Sequence, residues 1–220
     1  TGQGGLIQGF SAQDFVLYYL TLLMVGSFVT SHFMWEISWE IKEGIFSSQI
    51  IRPISFFQFT AIRNLAWRSV RVALTVPMVL LLIWAYRGYL QGSALYLGWE
   101  FWLSLGLGHV VSLTFVVAMS MLALYFQDAT ALFELYYIPM LFLSGQLFPV
   151  AMLPDWARLL AQAFPFYYTT GAPTEIAIGR IQPAQALGVL GVQIVWILVA
   201  YVAQRVLWRQ GLKHYTGVGM

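Results

Sequence analysis

The chain has 220 residues, of which 60% are hydrophobic and 9% charged, with a mean hydropathy of +0.73. A soluble domain carries about 25% charged and about 45–50% apolar residues, so too few charges are present to cover a water-soluble globule. An aromatic content of 17% excludes a disordered chain, and the net charge of +2 rests on 11 basic residues that read as topology signals rather than as a nucleic-acid patch.

Cysteine is absent, which excludes disulfides and thiolate metal sites. Three scattered histidines offer no metal-ligand spacing either. A bilayer core of roughly 30 Å needs about 20 mostly apolar residues per helix. Five stretches qualify: 14–35, 69–86, 97–126, 131–148 and 184–208. Their apolar runs lack the alternation of membrane β-strands, so the fold class is all-α and polytopic.

Lysine and arginine give the orientation, because they are retained on the cytoplasmic side. Lys42, Arg52, Arg63, Arg68 and Arg71 lie between the first two stretches, and Arg205, Arg209 and Lys213 follow or close the last. Arg87, Arg158 and Arg180 fall on the other side. The 36–71 segment and the C-terminus are therefore expected inside, as is the short connection at Gln127-Asp128. Five spans then place Thr1 outside. The expectation is a sixth helix ahead of the chain as given, with a cleaved leader as the alternative.

The segment after the first span is patterned. Ile37, Ile41 and Ile45 recur every four residues, with Glu36, Glu40 and Glu43 between them. This predicts a short amphipathic helix at the cytoplasmic surface. Gly44 marks its C-terminal break, and Arg52-Pro53 stops the next element. Residues 55–71 predict another amphipathic helix leading into the second span, with Arg63, Arg68 and Arg71 placed to meet anionic headgroups or acidic protein groups. A solvated anchor would explain such a loop. Its mixed charge favours a docking surface, because Glu36, Glu40 and Glu43 would be repelled by anionic lipid.

The second irregular segment follows the fourth span. Pro149, Pro154, Pro165 and Pro173 fall in a stretch that stays largely apolar. Pro154 suits the start of a new helix, with Asp155 favoured at its N-terminal end. Leu153, Trp156, Leu160 and Phe164 share one face by their spacing. Two readings stand: a structured outer loop, or a re-entrant hairpin over 149–173 that closes the outer end of a pathway.

Ionisable groups at membrane depth are default functional candidates. Glu134 lies in the fourth span, His109 near the middle of the third and Glu100 nearer its outer end, while His32 reads as interfacial. Ser144-Gly145 with His109 permits the thought of a serine protease, but no Gly-x-Ser-x-Gly turn exists. A phosphate-binding Gly-x-x-x-x-Gly-Lys-[Ser/Thr] loop is also lacking, so energy would have to come from another subunit. Trp99, Trp102, Tyr136, Tyr137, Tyr167 and Tyr168 read as interfacial anchors. Gly108 and Ser112 offer a small-x-x-x-small helix contact.

Ile41-Lys42-Glu43-Gly44-Ile45-Phe46-Ser47, followed by Ile51-Arg52-Pro53-Ile54, resembles the first cytoplasmic loop of ABC-2-type transporter permeases from bacteria. Phe148-Pro149, Leu153-Pro154-x-Trp156 and Phe164-Pro165 resemble that family's outer re-entrant hairpin. The resemblance implies six helices per permease in the bacterial inner membrane, two permeases per exporter, and two cytoplasmic ATP-binding cassette ATPases that hold ATP and Mg. It makes 36–50 the coupling segment, with Trp39, Glu40, Lys42, Glu43, Gly44 and Ile45 as ATPase contacts. Glu134, His109, Pro149, Pro154, Trp156 and Pro165 are the pathway and gate candidates. A membrane scaffold without a pathway, and a secondary carrier without an ATPase, are the competing readings.

Overall fold

The computed structural model describes residues 7, 9–126 and 129–215, and the described residues form helices and no named strand. The Gln127-Asp128 connection lies outside them. Ten α-helices follow in order: α1 Ala12–Val29, α2 Met34–Lys42, α3 Ile45–Ile50, α4 Phe56–Ala85, α5 Trp99–Ser120, α6 Thr130–Leu143, α7 Asp155–Ala163, α8 Pro165–Thr169, α9 Gly171–Ala177 and α10 Pro183–His214. Four helical stretches are long and apolar enough to cross a membrane: those containing α1, α4, α5 and α10. Where a fifth span was expected over 131–148 stands the 14-residue α6, about 21 Å long and shorter than the roughly 30 Å bilayer core.

Two of the boundaries that differ from expectation bear on the site. The first span ends at Val29, not at 35, because Thr30–Phe33 leave the helix before α2 starts. Polar partners stabilise that break: the Ser31 amide donates to Ser112 Oγ (3.0 Å), and Arg68 takes the Ser27 and Thr30 carbonyls. In the other direction, the expected amphipathic helix over 55–71 and the second span are one continuous 30-residue helix, α4. Ser55 caps it by accepting from the Gln58 amide (3.2 Å).

The core is built on α5, which packs most extensively against α10. Two ends of the molecule are distinct. At one end, Gln13 donates to Ser93 Oγ (2.6 Å), the Tyr96 amide to the Ala177 carbonyl (2.7 Å), and Arg180 to the Gly9 carbonyl (3.0 Å). At the other end lie α2, α3, the start of α4, a 3₁₀ turn at Met121–Leu124 and the close of α10. The Tyr125 hydroxyl ties that turn to the Leu207 carbonyl (3.0 Å).

Candidate functional site

The segment 34–50 forms two short helices that turn at Gly44, whose φ of 74° is the left-handed conformation a glycine adopts without steric cost. The expected break is there. Ile37 and Ile41 are buried as the pattern requires, with Met34, against Val116, Val117, Met121 and Phe133. Ile45 departs from the pattern and is exposed, since the chain turns one residue before it. Phe46 takes the inward position instead. It is wholly buried, its ring 5.3 Å from those of Phe56 and Tyr215 and 5.8 Å from Trp208.

Glu40 also departs from expectation. It is buried rather than part of an open acidic face, and it pairs with Arg63 of α4. One position before Ile41, it sits at the edge of the apolar face, within reach of a long arginine side chain. The exposed set that remains is Glu36, Trp39, Lys42 and Glu43, with Ile45 beside them. Trp39 is 57% exposed, a large aromatic turned away from the protein. A face of aromatic, acidic and basic groups around an exposed tryptophan is suited to a protein groove.

Arg68 and Arg71 also separate. Arg71 is exposed, whereas Arg68 is buried against the C-terminal carbonyls of α1. The latter is therefore set back from the exposed face of α4 on which Arg71 lies.

The segment after α6 leaves helix at Ser144 and folds into a 3₁₀ turn (Val150–Met152), then α7, α8 and α9. Its prolines sit at element starts. Pro149 precedes the 3₁₀ turn, Pro154 precedes α7, Pro165 opens α8, and Pro173 lies in the first turn of α9, where a missing N–H costs nothing. Pro149 and Pro165 are buried, Pro154 exposed. α8 lies beside the middle of α5. Phe166 meets the rings of Phe115 (6.2 Å) and Tyr136 (5.4 Å), and Phe115 meets Trp196 of α10 (6.5 Å).

That depth is held by close backbone contact. A Cβ on Gly108 would stand 2.6 Å from the Thr169 carbonyl oxygen, so only glycine allows α8 to approach α5 here. Four residues on, Ser112 serves the α1 break. The small-residue stripe thus seats two different partners. Gln193 of α10, fully buried, donates to the Ser104 carbonyl (2.9 Å), Ser104 Oγ (3.1 Å) and the Tyr168 carbonyl (2.8 Å). The turn after α6 is tied to α1: Tyr18 and Tyr19 donate to the Gly145 (2.7 Å) and Leu147 (2.6 Å) carbonyls.

Of the expected apolar face around α7, Leu153 packs inward against the cluster of Val150 and Ala161, and the rest points outward. Trp156 is 67% exposed, and Leu160 and Phe164 are exposed, while the small Ala157 and Ala161 pack inward. Glu134 is exposed on α6. His109 is half-buried and faces the end of α1, with Nδ1 3.4 Å from the Val29 carbonyl oxygen. The two do not converge on one site, and no group of three metal-ligating side chains occurs among the described residues.

Three polar residues in the interior were not singled out from the sequence: Gln193, Glu175 and Arg68 in its buried role. Glu175 is buried and accepts from the Tyr167 hydroxyl (2.5 Å). An amide in the middle of the 184–208 apolar run was the available signal for Gln193. Glu175 stood behind four prolines in a stretch whose return into the helix bundle has no periodicity to reveal it.

Residues 1–219 match the sequence model of a family described as ABC-2 family transporter protein. The chain belongs to that family. No curated protein and no solved structure gives a match. The match covers both irregular segments of this ABC-2 protein, and its apolar helices accord with a membrane transporter component.

Proposed function

We propose that the chain is the permease subunit of an ATP-driven exporter in a bacterial inner membrane. In this reading it forms the substrate pathway with a second permease and is driven by two cytoplasmic ATP-binding cassette ATPases. The single observation that carries it is the 34–50 segment, whose outer face is exposed while its inner face is locked into the bundle. Eight of the 11 lysines and arginines are Lys42, Arg52, Arg63, Arg68, Arg71, Arg205, Arg209 and Lys213. They gather on the side of that segment, which supports a cytoplasmic placement for it and for the C-terminus.

The contacts support the following mechanism. Trp39, Lys42, Glu43 and Ile45, with Glu36, seat α2 in a groove of the ATPase, which holds ATP and Mg. Movement of that groove on nucleotide binding displaces α2. The Glu40–Arg63 pair and the Phe46 aromatic cluster pass the displacement to α4 and α10. α4 packs on α1, so both helices rock against the opposing permease. The outer end then opens past a re-entrant hairpin made of α7, α8 and α9, with Pro149, Pro154, Trp156 and Pro165 shaping the gate and Glu134 and His109 on the pathway side. An open cleft of about 530 Å³ between α1, α4 and α5, lined by Leu20, Met24, Val76, Phe101 and Trp102, supports an apolar or amphiphilic cargo.

Glu36 and Glu43 test the docking role without disturbing the fold, since both are exposed. Glu36→Lys with Glu43→Lys is expected to lower transport-coupled ATP hydrolysis at least about tenfold, because like charges across an interface cost several kcal/mol. Thermal stability should hold. Full coupling by the double variant would remove the docking role.

A further inference from the structure

Arg68 carries a charge that no carboxylate among the described residues pairs with. The residue is 6% exposed, and its guanidinium donates to the Ser27 carbonyl (3.3 Å), the Thr30 carbonyl (2.6 Å) and Ser31 Oγ (3.2 Å). All three acceptors are neutral, and its Nε has no hydrogen-bond partner. The C-terminal end of α1 supplies only about half an elementary negative charge. The ion pairs among the described residues are Glu40–Arg63 and Asp155–Arg158, so Arg68 joins neither. Arg71, three residues on, joins neither as well. A buried charge is costly unless it is paired.

Beside it opens a cavity of about 360 Å³ between α4 and the α1–α2 break. Arg63, Asn64, Arg68 and Arg71 line it from α4, with His32 and Glu36 across from them. Glu36 is the one carboxylate in the lining, and Arg63 is already engaged by Glu40. Asn64 is buried, and its Oδ1 has no partner. The lining continues onto the exposed apolar side chains of Trp67, Val70 and Leu74 on the same helix. Two guanidinium groups in no ion pair among the described residues, one of them buried, suit a phosphate. The adjoining apolar strip suits a hydrocarbon chain, for which a soluble phosphate has no use.

We propose that this cavity binds an anionic glycerophospholipid, with Arg68 and Arg71 on its phosphate and Trp67, Val70 and Leu74 along its acyl chain. This rests on α4 crossing the bilayer and is independent of any ATPase. Asn64 Oδ1 then accepts from a headgroup hydroxyl. The bound lipid completes the charge balance at the α1–α2 break, the place where movement of α2 would reach α1.

The test is native mass spectrometry of the full-length protein, delipidated in mild detergent and titrated with phosphatidylglycerol and phosphatidylcholine in parallel. One phosphatidylglycerol per chain should survive activation that strips phosphatidylcholine. Arg71→Gln, an exposed change outside every ion pair, should weaken that retention about tenfold, as loss of one charge-assisted contact implies. Arg209→Gln at the end of α10 should leave it unchanged. Equal retention of both lipids, or full retention by Arg71→Gln, would overturn the site. Release of the lipid by millimolar inorganic phosphate would overturn the lipid assignment in favour of a soluble phosphate. Co-purification of an ATPase is unaffected by any of these outcomes, so failure of the lipid site stays distinct from failure of the exporter reading.

Discussion

Phe46→Ala is expected to destabilise the protein by about 3–5 kcal/mol, the range for deleting a buried aromatic side chain. Phe46 is wholly buried and meets the rings of Phe56, Trp208 and Tyr215, three residues from two other parts of the chain. Truncation leaves a ring-sized void at the point where α3, the start of α4 and the close of α10 converge. Edge-to-face aromatic pairs add about 0.5–1.5 kcal/mol each beyond burial. A functional loss should accompany the thermal one. With the cluster loosened, a push on α2 is absorbed locally, so transport should fall more than ATPase binding does. The check is a denaturation midpoint in one membrane mimetic, with binding and transport measured on the same preparation. An unchanged midpoint would mean that the aromatic cluster is not what fastens this segment.

The second large effect concerns how α8 is held at mid-helix depth. Gly108→Ala places a methyl group 2.6 Å from the Thr169 carbonyl oxygen, which forces α8 away from α5. Overpacking of this kind costs about 1–3 kcal/mol, and Gly108→Val should cost more. Displacing α8 also strains the Gln193 bonds to the Tyr168 and Ser104 carbonyls, which hold α5, α8 and α10 together. Gly106→Ala is the matched control. A Cβ there meets nothing within 4 Å, so the change should stabilise α5 by about 0.5–1 kcal/mol. Hydrogen exchange across 165–177 should rise in Gly108→Ala and stay unchanged in Gly106→Ala. The same exchange in both would mean that α8 does not depend on this contact.

The helical class and the apolar stretches were legible because bilayer length and composition leave few alternatives. Gly44 and the four prolines were legible for a related reason: glycine frees the backbone for a left-handed turn and proline restricts it, whatever surrounds them. What the pattern could not give was decided by tertiary partners. The first span stops at Val29 because Ser112, far along the chain, and Arg68 offer bonds to the freed backbone, and no local residue announces either. Ile45 and Phe46 exchange roles because Gly44, just before them, resets the helical phase between α2 and α3. Glu40 reads as part of a charged face until Arg63 is seen across from it.

The segment after α6 shows the same division. Its prolines predicted interruptions, and Pro149, Pro154 and Pro165 stand at them, while Pro173 lies within the first turn of α9. Which way its apolar face turned was not legible, because Trp156 and Leu160 at helical spacing look the same whether they face a core, a lipid or a partner. Ala157 and Ala161, small enough to let α7 approach its neighbours, were the subtler signal. Gln193 shows that one polar residue within an apolar run can mark a junction of three helices.

A permease engaged by separate ATPases should keep them when this ABC-2 family protein is purified at full length from its native membrane in mild detergent. Mass spectrometry of what accompanies it should then find a stoichiometric soluble subunit with a phosphate-binding loop, together with a second permease copy or paralogue. Recovery without any ATPase, under conditions that keep other ATP-driven transporters intact, would contradict it.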